Sequence, residues 1–487
     1  LPPFKAAFDA GAGSTMSAFN DIAGVPASAN PLTLTTILRE EWAWPGLVVS
    51  DYESVRELIP HGFAADLKDA GRLALSAGVD MDMMGTAYLN HLAELVAEGA
   101  LPLAAIDEAV SRVLRLKFRL GLFERPFVDE AVAAQVTLTE PQRALALEDA
   151  QASLVLLKNE GSLLPLKPGA QRLAVIGPLA ESRHDLLGCW SLFGEEGDIE
   201  SVMDGLRAYL GDGAPAPIAG CPLRGDGDLE AEAAVAAAEA ADIVVLVVGE
   251  GQDLSGEAHC RTQLGLPGHQ QALVDAVAAT GKPLVVVLLT GRPLVIPELA
   301  EQATALLLAW HGGIRTGRAI ADALFGTIAP TGRLTVSWPR HQGQIPLYYA
   351  HKNTGRPARG AGTGQFVEFF RSAYLDAPNT PLFPFGYGLT YTQFAYRDLT
   401  LDATTLGPAD SLTAQITVAN TGERAGVEVV QLYIRDLVGS VTRPVRELKG
   451  FVRVALEPGA SRRVTLTVPV ADLAFVGADL QRRVEPG

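Results

Sequence analysis

The chain has 487 residues, 48% of them hydrophobic and 20% charged, and its 56 Asp+Glu against 39 Lys+Arg give a formal net charge of -17. At roughly 100–200 residues per domain this length predicts about three globular domains. The acidic balance argues against a nucleic-acid or anionic-membrane partner, since both need a basic face, and it suits a neutral substrate.

In chain order, the residues up to about 125 alternate strand and helix patterns. STMSAF (Ser14 to Phe19) is strand-like, Thr33 to Trp42 is helical, and LVVS follows as a strand. Phe63 to Ser76 is apolar at helical spacing, VDMDMM (Val79 to Met84) is read as a strand, and helical patterns run on to about Leu120. With no hairpin signal between them, these units predict parallel strands joined by helical crossovers. Residues 126–150 are read as a linker.

A second alternation fills residues 151–340. LAVIG, IVVLVVG, PLVVVLLTG and ALLLAWHGG are near-continuous apolar runs, as expected for strands buried on both faces. Helices are expected between them, one Ala-rich over 229–241 and one over 268–279 with Pro267 near its start. This predicts an open, doubly wound α/β domain. Residues 341–388 are Gly/Pro/Tyr-rich and read as a second linker. From 389 to 487 the period becomes two, in SLTAQITVANTG, GVEVVQLYIRD and SRRVTLTVPV, which predicts a small β-sandwich.

Cys189, Cys221 and Cys260 form neither a disulfide framework nor a zinc signature and are read as buried structural thiols. The eight histidines make no H-E-x-x-H or tight pair, so no metal is expected, and no cofactor motif is accepted. The G-x-G at Gly249 and Gly251 lacks an immediate helix and a correctly placed third glycine, which rejects a dinucleotide site. No apolar run reaches the ~18 residues of a membrane span. The opening LPPFKAAFDAG carries no signal-peptide pattern.

Two places draw attention as sites. In GLVVSDYES the apolar strand ends on Asp51. Strand ends carry the active site in (β/α) barrels, but Asp is also a favoured helix N-cap, and position alone leaves both open. Asp80 and Asp82 are similarly ambiguous. The segment after IVVLVVG, from Gly249 to Gly268, is polar and Gly-rich and offers Glu250, Asp253, Glu257, His259 and Arg261 where open α/β sheets place their ligands. The bland reading of its three carboxylates is a solvated surface cluster.

Several long motifs occur in the order found in glycoside hydrolase family three. GLVVSDYES with AGVDMDM resembles its nucleophile region; GEGQDLSGEAHCRTQLGLPGHQQALVDAV and GKPLVVVLLTGRPL resemble its second domain. AWHGGIRTGRAIADALFGTIAPTGRLTVSWP, QIPLYYAHKNTGRP and PLFPFGYGLTYTQF are further matches, and ANTGERAGVEVVQLYIRD with RPVRELKGF resembles its fibronectin type III-like domain. The likeness is greatest to bacterial periplasmic β-glucosidases, so a periplasmic or secreted protein is implied. The implied architecture is part of a (β/α) TIM-type barrel, an α/β sandwich with a mostly parallel sheet, and a C-terminal β-sandwich. The implied chemistry is retaining hydrolysis of terminal β-D-glucosyl residues, with a β-xylosidase or a non-catalytic carbohydrate-binding fragment as alternatives. Asp51 matches the nucleophile and Glu257 the acid/base, with Glu250 the second choice of acid. A retaining pair lies ~5–5.5 Å apart, and the acid must be protonated at rest, through enclosure or a neighbouring carboxylate. Tyr52 is expected to flank the leaving-group sugar. Phe193, in CWSLFGEEG, and Met16, in STMSAF, are added as substrate-facing residues. The first half of the family's barrel, with its sugar-gripping Asp, Arg and Lys-His residues, has no match. The expectation is therefore a piece of a longer protein or of a split enzyme, poorly active alone, with the other barrel half as its partner.

Overall fold

The computed structural model describes residues 1–225, 227–358 and 370–486, so part of the linker expected over 341–388 lies outside the described residues. The chain divides into two units, Leu1–Val136 and Thr137–Gly487.

The first unit runs α1 (Pro2–Asp9), β1 (Ser14–Ser17), β2 (Asp21–Ile22), β3 (Val25–Pro26), a π-helix (Leu32–Glu41), β4 (Leu47–Ser50), α2 (Leu67–Ala77), α3 (Ala87–Ala97), α4 (Leu103–Arg119) and α5 (Glu130–Val136). β1 and β4 pair in parallel, from Ser14 opposite Leu47 to Ser17 opposite Ser50. Leu34 and Leu38 of the π-helix, Val48, Val55, Leu58, Ala70, Ala74 and Val79 form the core around them. The Asp66 side chain caps α2 by accepting from the Asp69 N–H, and Gly78 ends it with φ 114°.

Two expectations are corrected here. VDMDMM is not a regular strand: Met81 makes a single parallel bridge to Val49. Its neighbour Asp80 instead turns a side-chain oxygen to the Val48 N–H, and Met84 and Thr86 adopt left-handed φ angles of 61° and 60°, which break extended pairing. A hairpin is present as well, β2 with β3, turning on Ala23 and Gly24 at φ 55° and 83°. An alanine at positive φ gives no hairpin signal in a sequence. The described residues do not close a barrel.

The second unit begins with α6 (Glu140–Ser153), opened by a Thr139–Gln142 capping box, so residues 126–150 are largely helical. Then follow β5 (Val155–Asn159), β6 (Leu173–Ile176), α7 (Val202–Leu210), α8 (Ala231–Ala240), β7 (Ile243–Gly249), α9 (Gln270–Ala278), β8 (Leu284–Leu289), α10 (Pro297–Gln302), β9 (Ala305–Leu308) and α11 (Thr316–Leu324). The sheet order is β5-β9-β8-β7-β6, with β5 antiparallel and the rest parallel. Alternate residues divide its two faces. Val245, Val247, Val287 and Leu307 pack with α7 and α11, while Val244, Leu246, Val286 and Leu306 pack with α8, α9 and α10. That division is why the strands read as unbroken apolar runs. Residues 382–391 return to this core: Leu389 N–H donates to Leu156 O, and Gly386 N–H to Leu334 O.

The C-terminal strands are β10 (Phe394–Leu401), β11 (Ser411–Asn420), β12 (Gly426–Ile434), β13 (Glu447–Leu456) and β14 (Ser461–Pro469). They form antiparallel sheets β10-β11-β14 and β12-β13, whose inner residues Val418, Val430, Val454 and Val464 make one core. Arg333, before β10, pairs with Glu428 of β12 at 2.9 Å and ties this layer to the α/β domain.

Candidate active site

Three carboxylates follow β4 and its bridging segment, and their partners differ. Asp80 is buried, accepting from Arg39 Nη2 at 2.9 Å, Arg112 Nη1 at 2.6 Å and the Val48 N–H at 2.9 Å. Asp82 Oδ2 accepts from the Ala87 and Tyr88 N–H groups and so caps α3. Asp51 does neither. Its Oδ1 accepts only from the adjacent Tyr52 N–H at 2.7 Å. The short helix that follows, Arg56–Leu58, has no side-chain cap. Among the described residues Asp51 has no cation partner, and it is half-buried at the strand end, held there by its N–H to Ser17 O. Tyr52 and Met16, on the same unit, are 55% and 51% exposed.

In the second unit the loops leaving β6, β7, β8 and β9 all emerge at the C-terminal edge of the parallel strands, the ligand-binding edge of such sheets. Glu250 is the first residue after β7 and has no exposed surface. Its Oε1 accepts from Arg261 Nη1 at 2.5 Å and lies 3.3 Å from Arg292 Nε, and its Oε2 accepts from Thr290 Oγ1 at 2.7 Å. A carboxylate enclosed by two guanidinium groups cannot approach a glycosidic oxygen. Glu250 is therefore corrected from second-choice acid to structural anchor. Asp253 pairs with Arg224 at 2.8 Å. Glu257 is exposed, and no described side chain pairs with its carboxyl. The enclosure expected around the acid is not provided by its own loop.

Phe193 is 93% exposed on the loop that follows β6. That loop reaches the Glu257 loop: Asp185 Oδ1 accepts from the Gln252 N–H at 3.0 Å, and a Cβ on Gly256 would lie 2.8 Å from Cys189 Cβ. Cys189 and Cys260 are exposed, which corrects their assignment as buried thiols; only Cys221 is buried, and burial pushes its thiol up to about 11. No group of His, Cys, Asp and Glu able to hold a metal occurs among the described residues. No described helix is long and apolar enough to cross a membrane.

Sequence reasoning missed Thr290 and Arg292. Both follow β8 in TGRP, the next strand end beside Glu250, and that placement was the available signal.

Profile comparison matches residues 1–116 to the glycosyl hydrolase family 3 N-terminal domain, 154–391 to the family 3 C-terminal domain and 428–487 to a fibronectin type III-like domain. A periplasmic β-glucosidase of Salmonella typhimurium is 40% identical, over all of this chain and 66% of that protein. A β-xylosidase of Formosa agariphila is 39% identical, over all of this chain and 68% of that protein. The crystal structure of a β-glucosidase from Listeria innocua in complex with isofagomine superposes with a TM-score of 0.93 at 39% identity, covering all of this chain and 67% of that one. The chain thus spans about two thirds of the length of the relatives it matches.

Proposed function

The chain belongs to glycosyl hydrolase family 3, and from that premise we propose that it serves a retaining exo-β-glucosidase, with Asp51 as nucleophile and Glu257 as acid/base. One observation carries the assignment. Among the described residues, only one of the three candidate carboxylates in each unit is left without an ion pair or a capping role: Asp51 beside Asp80 and Asp82, and Glu257 beside Glu250 and Asp253.

A carboxylate Oδ of Asp51 attacks the anomeric carbon while the bond to the leaving oxygen breaks, and Glu257 gives that oxygen its proton. The glycosyl ester is then attacked by water. Glu257, now a carboxylate, takes the water's proton, and Asp51 leaves. Two inversions retain the β configuration. Tyr52 and Met16 in the first unit, and Phe193 in the second, are each exposed apolar side chains of a kind suited to a pyranose face.

The preference for glucose rests on the β-glucosidases among the relatives. A β-xylosidase stands as the second reading because of the 39% identity to one. The periplasmic setting rests on one relative's name. The test is turnover of 4-nitrophenyl β-glucoside against the β-xyloside by this chain within its full-length protein or supplied with the other barrel half. A higher kcat/KM for the glucoside supports the first reading, a higher one for the xyloside supports the second, and binding without turnover overturns both.

A further inference from the structure

The mechanism above leaves unused the cluster of buried Glu250 and Thr290 with the half-buried Arg261 and Arg292. One of its two arginines lies beside the carboxylate without hydrogen-bonding to it and directs its donors elsewhere. Arg292 places Nε beside Glu250 Oε1, and its Nη2 donates to two carbonyl oxygens of the β7–α9 loop, those of Leu254 and, at 2.7 Å, His259. Those two carbonyls lie on either side of Glu257.

The base of the same loop is clasped separately. Gln270 Oε1 accepts from the Gly249 N–H at 2.8 Å, and its Nε2 donates to Gly249 O at 2.9 Å. Arg261 Nη2 donates to Gly265 O at 3.1 Å on the returning arm. The base and the return are thus fixed by their own contacts, and the tip around Glu257 is held by Arg292 through the Leu254 and His259 carbonyls.

We propose that Arg292, whose guanidinium lies against Glu250 and whose backbone is tied to Thr290 Oγ1, is the positioning residue of the acid/base: by holding the carbonyls of Leu254 and His259 it fixes where the Glu257 carboxyl is presented. The proposal rests on the assignment of Glu257. The physical reason is reach. A planar guanidinium has several donors in a fixed fork, so it can face a carboxylate and two carbonyls at once, and a lysine ammonium is a single point that cannot. An exposed loop without such a hold presents its carboxyl over a range of positions, and a misplacement of about 1 Å can cost about 10²-fold in rate.

The experiment is Arg292→Lys in the active protein, alone and combined with Glu257→Ala. It is read as kcat/KM, which reports the glycosylation step, for cellobiose and for 2,4-dinitrophenyl β-glucoside. Arg292→Lys should lower kcat/KM about 10–100-fold for cellobiose, whose leaving group needs the proton, and less than about threefold for the activated aryl glucoside. In the Glu257→Ala background it should cost nothing further for cellobiose. Amide hydrogen exchange over 254–260 should speed up. If Arg292→Lys does not fold, Arg292→Gln takes its place under the same criteria. Equal losses for both substrates, or a full additional loss in the Glu257→Ala background, would overturn the proposal. Failure of the acid assignment itself shows differently: Glu257→Ala alone would then lack the dependence on leaving group, and the proposal would fall with it.

Discussion

Asp51, Asp80 and Asp82 are one residue type in one short stretch, yet each has different neighbours and so a different expected fate on mutation. Asp51→Ala removes no ion pair and no cap, so unfolding stability should stay within about 0.5 kcal/mol of the parent. Activity should vanish, because the covalent intermediate has no other partner. Added azide should return some turnover, yielding the inverted α-glycosyl azide; near-native hydrolysis by the variant without azide would refute the assignment. Asp80→Ala should do the reverse. It leaves Arg39 and Arg112 facing each other without their shared carboxylate, and breaking such a buried pair costs about 3–5 kcal/mol. A denaturant titration separates the two variants. The thiols divide in the same way. Cys189 and Cys260 should react quickly with a maleimide at neutral pH, and Cys221, buried and held as the thiol, should react only on unfolding. Equal reactivity of all three would show that burial does not protect Cys221.

At the scale of elements, the loop that carries Glu257 depends on a backbone turn that only glycine permits. Gly249 ends β7 at φ 141°, and a Cβ there would stand 1.7 Å from Leu289 O on β8. Gly249→Ala must part β7 from β8 at the point where Glu250 and Thr290 meet. It should destabilise the domain by about 1–3 kcal/mol and speed exchange in the loop; a variant as stable as the parent would show that the strand ends can separate freely. The turn after β9 carries a titratable counterpart. His311 Nε2 lies 3.1 Å from Glu250 O, and burial lowers the imidazole pKa below its ordinary value of 6.5. The unfolded chain therefore takes up the proton first as pH falls. The stability that His311 contributes is complete above about pH 6.5 and is lost below it, until the folded state also protonates. His311→Gln should flatten that part of the stability-against-pH curve, and an unchanged slope would remove His311 as its source.

Across the whole molecule, what could be read from the sequence followed what periodicity records. The buried strands of the α/β domain and the β-sandwich were legible because side-chain period alone separates them. Asp51 drew attention because an apolar run stops on it, but strand position alone left a helix cap equally open, and only the family resemblance suggested a role. Glu257 was not visible to periodicity at all: it stands on an exposed loop, and only the SGEA motif singled it out. The separation of Glu250 from Glu257 needed coordinates, because burial of a carboxylate depends on arginines that reach it through space. Arg292 was invisible for the same reason, since it acts on a carbonyl 33 residues earlier in the chain. The central claim we propose joins the two levels: an aspartate singled out by the family motif at a strand end, and without an ion pair among the described residues, is the covalent nucleophile. The most direct measurement is to treat the active protein with 2-deoxy-2-fluoro-β-D-glucosyl fluoride, which loses fluoride to the nucleophile and stalls as the glycosyl ester, and to map the labelled peptide by mass spectrometry. One label per active site on Asp51, lost in Asp51→Ala, is the predicted result; a label on Asp80, Asp82 or any other residue would contradict the account.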